Sequence, residues 1–247
     1  ETIDMGNSCS VVNTYVAELR DVNVQTDRMR FRRNLERIGE AQAYELSRML
    51  NYSEKKVQTP LGVAAANTFD DQVVVATVFR AGLPMHQGFL NVFDKAENAF
   101  VSAYRYYKDK ECRQVDVHIE YIAAPDLTGK TLMLVDPMLA TGESMELALK
   151  AFETKGKPAR IFIACAIASR QGVEHMQKLY GDREDVTLIC AAIDEELNEH
   201  SYIVPGLGDA GDLAFGGQNG QPAVLPYPIY PKSAPAAQSH AAGALLS

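Results

Sequence analysis

At 247 residues and 47% hydrophobic, the chain is long enough to bury the core of one α/β domain, and its formal net charge of −8 excludes the basic surface that broad nucleic-acid binding requires. No apolar run approaches the roughly 20 residues needed to cross a bilayer. Nor does the N-terminal segment show a basic stretch followed by an apolar core, so a cytoplasmic protein engaging neither nucleic acid nor membrane is expected.

In chain order, Asp27 to Leu50 reads as an amphipathic helix packed outside the sheet, with Phe31, Leu35, Ile38, Ala41, Tyr44 and Leu46 broadly on one side. Thr59-Pro60-Leu61-Gly62 is a turn signal, and the apolar run Val73 to Phe79 suits a central parallel strand that leaves Arg80 at its end. Gly82 to Val92 reads as a helix, and Ala99 to Tyr104 as a strand with Arg105 at its C-terminal end. Alternation through Val115, Val117, Ile119 and Tyr121 predicts a protruding hairpin over Tyr106 to Ala124. Leu132 to Val135 is a short buried strand, Met145 to Phe152 a helix, Ile161 to Ala166 a strand, Val173 to Tyr180 a helix and Val186 to Ile193 a strand. This alternation predicts an α/β fold over residues 1–217: a mostly parallel central sheet with helices on both faces, plus the hairpin and the N-terminal helix. Residues 218–247 form a Pro/Ala-rich C-terminal extension, in which Tyr227, Ile229 and Tyr230 offer an apolar anchor. Cys9, Cys112, Cys165 and Cys190 show no C-x-x-C pairing, so reduced structural thiols are expected.

Ligands on such a sheet gather at the C-terminal strand ends, where Arg80, Arg105 and Asp136 fall. The most informative stretch is residues 132–144, an apolar strand ending in Asp136, then a small-residue loop entering a helix. Such a loop aims successive backbone N–H groups at one point and adds the positive end of the helix dipole, so it holds a phosphate without a lysine cluster. Thr141 and Ser144 add hydroxyl donors, while a carboxylate at Asp136 suits ribose hydroxyls or a magnesium shell.

Each reading has a plainer rival. Gly129-Lys130-Thr131 resembles the end of a nucleotide-triphosphatase P-loop but precedes a strand and lacks the leading glycine, which Ala124 replaces. Arg80 and Arg105 are surface charges unless the phosphate loop lies beside them. Gly206, Gly208 and Gly211 terminate a strand or let backbone approach a flat ligand, and Asp209 and Asp212 are turn formers on the plainer view. The five histidines share no metal-ligand spacing; His200 reads as a hydrogen-bonded structural group and His86 as a secondary candidate for chemistry.

Three segments carry a family resemblance. Val135 to Ser144 resembles the phosphoribosyl-pyrophosphate (PRPP) loop of type I phosphoribosyltransferases, and its Asp-Pro-Met-Leu-Ala-Thr-Gly wording resembles the uracil branch. Phe79-Arg80-Ala81-Gly82-Leu83 resembles that branch's arginine element, and Asn198 to Asp212 its uracil-binding segment. Three motifs in the same order over roughly residues 15–217 seldom coincide by chance.

The resemblance implies transfer of phosphoribose from PRPP to N1 of uracil, giving UMP and pyrophosphate, with Mg2+ carried by PRPP and with a homodimer or higher homo-oligomer. It implies catalytic roles for Arg80, Arg105, Asp136 and Asp209. PRPP would be bound by those residues together with Pro137, Met138, Leu139, Ala140, Thr141, Gly142, Glu143 and Ser144, and uracil by Ile203, Gly208, Asp209 and Ala210. Two departures stand out: Glu143 replaces the second glycine of the usual loop pair, and Pro84 replaces the glycine after Gly82-Leu83. An outward Glu143 carboxylate is expected, and Pro84 fits a helix's first turn. The alternatives are a non-catalytic paralogue that binds PRPP or UMP and regulates a partner, and a transferase for another base, against which the segment Ile203 to Asp212 argues.

Overall fold

The computed structural model describes residues 1–107 and 115–217, with backbone alone for 103–107 and 115–118. Strand β1 (Thr2–Asp4) precedes helices α1 (Val11–Arg20) and α2 (Arg28–Ser47). Next come β2 (Tyr52–Thr59), β3 (Gly62–Phe69), β4 (Val73–Phe79), α3 (Leu83–Val92), β5 (Glu97–Tyr107) and β6 (Val115–Ala123). The second half holds β7 (Thr131–Val135), β8 (Met138–Leu139), α4 (Glu143–Glu153), β9 (Arg160–Ser169), α5 (Arg170–Tyr180), β10 (Val186–Asp194), β11 (Glu196–Leu197), β12 (Ile203–Val204) and α6 (Ala210–Phe215).

The main sheet runs β1-β10-β9-β7-β4-β5-β6, every neighbour pair parallel except the β5–β6 hairpin. Alternate strand residues divide the core into two layers. Val73, Val75, Met133, Val135, Phe162 and Ala164 face α1, α2, α3 and α6, whereas Val74, Ala76, Leu132, Leu134, Ile161 and Ile163 face α4 and α5. With both faces covered, the strands are apolar at nearly every position, the buried Thr77, Thr131 and Thr187 being exceptions, which is why the central runs read as continuous rather than alternating.

The N-terminal helix of the sequence reading is α2, opened by the Asp27 side chain accepting from Arg30 N–H at 3.1 Å. Pro84 occupies the first turn of α3, as expected. Gly129 (φ +73°) turns the chain into β7, and Lys130 pairs with Glu97, so that tripeptide is a strand lead-in. Three features escaped the sequence reading: β1, α1 and the β2–β3 hairpin, whose turn alone was recognised. Cys9 is exposed and Cys165 and Cys190 are buried, all as free thiols, while Cys112 and the 218–247 extension lie outside the described residues. Among the described residues no helix is long and apolar enough to cross a membrane.

Candidate active site

Val135, the last residue of β7, stands opposite Thr77, two residues before the end of β4, so the two neighbouring strands deliver Arg80 and Asp136 to one edge of the sheet. The loop after β7 is tied down on its inner side. Asp136 N–H donates to the Ala164 carbonyl at 3.0 Å, Ile167 N–H donates to the Pro137 carbonyl at 2.9 Å, and Met138 and Leu139 pair as β8 with Ile167 and Ala168. Ser169 Oγ donates to the Ala140 carbonyl at 2.6 Å and accepts from Gly172 N–H at 2.8 Å, so one buried hydroxyl both caps α5 and holds the loop.

The other side of the loop is differently equipped. Gly142 (φ +89°) is the N-cap of α4, and among the described residues the N–H groups of Thr141, Gly142 and Ser144 have no hydrogen-bond partner. Amides without partners at the start of an 11-residue helix make this loop a candidate anion cradle. The Glu143 side chain is exposed, matching the outward orientation expected for it. Its N–H makes a 3.5 Å contact with Thr141 Oγ1.

Helix α5 buttresses this cradle, a role the sequence did not reveal. The His175 ring lies behind Gly142 and its Nε2 is 2.7 Å from Glu146 Oε2, while Lys150, with His175 second, holds the Glu146 carboxyl below the usual range. Gly172 is packed so closely that an added Cβ would stand 2.4 Å from the Ala140 carbonyl oxygen and 2.7 Å from that of Leu139. Alanine would improve helix propensity by about 1 kcal/mol. The clash wins, because the carbonyl it meets is fixed backbone. Gly172→Ala is therefore expected to raise the KM for the phosphate-bearing substrate and to lower unfolding stability by about 1–3 kcal/mol, read by initial rates and denaturant titration.

Arg80 does not stand free at its strand end. Its Nη2 is 3.2 Å from Asp212 Oδ1 and its Nη1 donates to the Gly216 carbonyl at 3.2 Å, which draws α6 over the edge of the sheet. A Cβ added at Gly211 would lie 3.3 Å from Asp209 Oδ1 and 3.5 Å from Arg80 Nη2, so the Asp209 carboxylate and the guanidinium flank one Cα. Asp209 also caps α6, accepting from Asp212 N–H at 2.8 Å. Gly82 makes room for this turn: its Cβ would meet Thr77 Oγ1 and the Val78 and Val135 carbonyls.

The glycine-rich segment approaches the same edge. Ile203 is buried in β12, Gly206 (φ +53°) and Gly208 (φ +97°) adopt backbone that L side chains rarely take, and Ala210 is buried at the start of α6. Among the described residues neither the N–H nor the C=O of Gly208 has a hydrogen-bond partner. A main chain that can approach a planar ligand results.

Several sequence expectations meet a different environment. Arg105 does not end its strand; β5 continues to Tyr107, and Arg105 lies opposite Val117 in the hairpin, three residues past the Ser102 that pairs with the end of β4. Strand pairing prolonged by β6, invisible in local periodicity, is the reason. Its side chain lies outside the described residues. His86 sits against Phe100, beside Val75 and Asn98 in mid-strand and away from the ligand edge, and burial lowers its pKa. The His200 side chain is exposed at 66%, with Nε2 3.5 Å from Glu199 Oε1. Asp212, read as a turn former, is the partner of Arg80; their separation of 132 residues left no local signal.

With this geometry in place, comparisons with known proteins assign the family. Residues 7–217 match the family model described as uracil phosphoribosyltransferase. The uracil phosphoribosyltransferase of Porphyromonas gingivalis is 56% identical over 216 residues, covering 87% of this chain and 98% of that protein. That of Methanothermobacter thermautotrophicus is 40% identical over 188 residues, covering 75% and 83%. Among solved structures, the AQ2163 protein from Aquifex aeolicus superposes with a TM-score of 0.77 at 28% identity, covering 87% of this chain and 98% of that one. The phosphate-type loop, the arginine at the neighbouring strand end and the glycine-rich segment thus lie in a chain that belongs to the uracil phosphoribosyltransferase family.

Proposed function

We propose that this protein transfers the 5-phosphoribosyl group of PRPP to N1 of uracil, forming UMP. The C1–N1 bond forms as the C1–oxygen bond to pyrophosphate breaks, and the N1 proton leaves with the departing groups or to solvent. The observation that carries this reading is the meeting, at one sheet edge, of unpaired loop amides, the Arg80 guanidinium and an unpaired glycine backbone, in a chain of this family.

In this reading Leu139, Ala140, Thr141, Gly142, Glu143 and Ser144 hold the 5′-phosphate through main-chain and hydroxyl donors, with Pro137 and Met138 shaping the loop. Asp136 takes the ribose hydroxyls. Arg80 and Arg105 bind pyrophosphate, and Asp209 lies near it. Magnesium enters as part of the PRPP substrate; the Asp136 and Asp209 carboxylates are hard oxygen donors of the kind its hydration shell accepts. Ile203, Gly208, Asp209 and Ala210 read uracil, whose edge alternates C=O, N–H and C=O; cytosine replaces one acceptor with a donor and leaves a buried partner unpaired. Because pyrophosphate is already a good leaving group, the protein's work is positioning and stabilising separated charge. Its compartment in this reading is the cytoplasm. The direct test is magnesium-dependent formation of UMP and pyrophosphate from uracil and PRPP, with cytosine, hypoxanthine and orotate giving little product; equal use of another base would overturn the substrate assignment.

Glu143 offers a narrower check. An exposed carboxylate is screened by water and contributes about 0–1 kcal/mol. Glu143→Gly should therefore change PRPP affinity by well under about tenfold, measured by calorimetry at fixed salt and magnesium. A marked gain in affinity would mean that the side chain turns inward on binding.

The reading extends to a homo-oligomer. The β2–β3 ribbon is exposed on both faces and carries Tyr52, Val57, Leu61, Val63 and Phe69 to solvent. A two-stranded ribbon is marginal in water by itself, and a second copy covering it would supply the missing burial. Val57→Lys combined with Val63→Glu should shift the sedimentation coefficient toward a monomer, whereas an unchanged value would place the interface elsewhere.

A further inference from the structure

The segment assigned to uracil has a weakness that the rest of the molecule corrects. Gly206 and Gly208, at φ +53° and +97°, flank Leu207, and glycines leave the backbone free to swing. Recognition through main-chain groups needs those groups held within about 0.5 Å of the productive geometry.

Three side chains, two of them far away in sequence, do this. Arg20, the last residue of α1, forks onto Asp194 at the end of β10, with Nη1–Oδ2 and Nη2–Oδ1 both at 2.8 Å. Asp194 Oδ2 also accepts from Gly206 N–H at 2.9 Å, and Arg20 Nη1 donates to the Gly206 carbonyl at 3.2 Å. One ion pair therefore engages both polar groups of one glycine. Gln25 Nε2 donates to the next carbonyl, that of Leu207, at 3.0 Å, and is itself fixed by donating to the Leu19 carbonyl at 2.7 Å. The clamp is sheltered from water: Asp194 and Gln25 are 8% and 3% exposed, and the Arg20 side chain 23%. Removing a charge from water is costly, so a pair placed here is weak evidence for added stability. Its specific output is the position of two residues immediately before Gly208.

We propose that Arg20, Asp194 and Gln25 are positioning residues for base recognition: by locking the backbone of Gly206 and Leu207 they aim the unpaired groups of Gly208 at the uracil edge. This rests on the assignment of residues 203–210 to uracil. None of the three needs to touch the base. Loosening the clamp blurs the aim of the amides without removing them, so the loss falls on uracil capture and on discrimination against cytosine, while the PRPP loop on the other side of the site is unaffected.

The test is steady-state kinetics of the full chain with uracil varied at saturating magnesium-PRPP, and the reverse. Asp194→Asn and Gln25→Met are each expected to raise the uracil KM by about tenfold or more and to leave the PRPP KM within about twofold, the mark of an effect on one substrate's binding. Arg20→Lys, which keeps the charge but loses the fork, should fall between these and the parent. Val12→Ala provides the control for lost stability, because Val12 is buried on the same helix and its apolar side chain takes no part in the hydrogen bonds of the clamp. If Gln25→Met and Asp194→Asn move the uracil KM no more than Val12→Ala does, the clamp is only structural and the inference fails. If Asp194→Asn does not fold, the uncharged Gln25→Met decides by the same comparison. Gly208→Val separates the underlying assignment: a normal uracil KM in that variant moves the base site elsewhere, whereas a defect there beside a silent Gln25→Met overturns the clamp alone.

Discussion

Arg80→Ala is expected to reduce kcat/KM for PRPP by roughly 30- to 1000-fold, corresponding to about 2–4 kcal/mol for a charged hydrogen bond aimed at a departing anion. The guanidinium leaves the end of β4 beside the start of the phosphate-type loop and is oriented in advance by Asp212 and the Gly216 carbonyl. Preorientation matters because a positioned donor need not be reorganised as charge develops. Asp212→Asn should accordingly weaken PRPP use less than Arg80→Ala, since the donor stays and only its guide is lost. Arg105→Ala, at the second arginine assigned to pyrophosphate, should resemble Arg80→Ala. Initial rates with PRPP varied at saturating uracil give the comparison. Near-normal PRPP kinetics in folded Arg80→Ala would remove this arginine from the site.

The second large effect concerns Gly208→Val, which should raise the uracil KM by about tenfold or more while PRPP binding stays nearly intact. The sequence suggests that a side chain would simply push the base away. The structure supplies a further reason: a Cβ at Gly208 meets only Leu213 Cδ1, at 3.8 Å, so the protein itself has room for it. The obstacle is φ +97°, which a β-branched residue does not hold, so the peptide rotates and its unpaired N–H and C=O lose their direction. Calorimetry of folded Gly208→Val with uracil in the presence of PRPP is the check; unchanged affinity would mean that the base is read by another segment.

How much of this was legible beforehand follows from the range of the forces involved. The sequence by itself determined the alternation of buried strands with amphipathic helices, because strands covered on both faces are mostly apolar, as Val73–Phe79 and Thr131–Val135 are apart from the hydrogen-bonded Thr77 and Thr131. It also marked the strand, the small-residue turn and the helix start around residues 132–144, since these are consecutive in the chain. The family resemblance read from three motifs was confirmed over residues 7–217.

Tertiary structure alone decided what supports these segments. The β2–β3 ribbon carries weak local periodicity because both of its faces are exposed and neither is marked by burial, whereas α1, with Val12, Val16 and Leu19 buried at helical spacing behind Ser10, carries a legible local signal. The length of β5 depends on its partner β6, so no pattern within residues 97–107 could place Arg105 inside the strand. Arg80 with Asp212, Ser169 with Ala140 and Arg20 with Asp194 are joined over 132, 29 and 174 residues. Local sequence records the backbone preferences and burial of each partner, but a directed hydrogen bond between them exists only after the sheet has brought its strand ends to one edge.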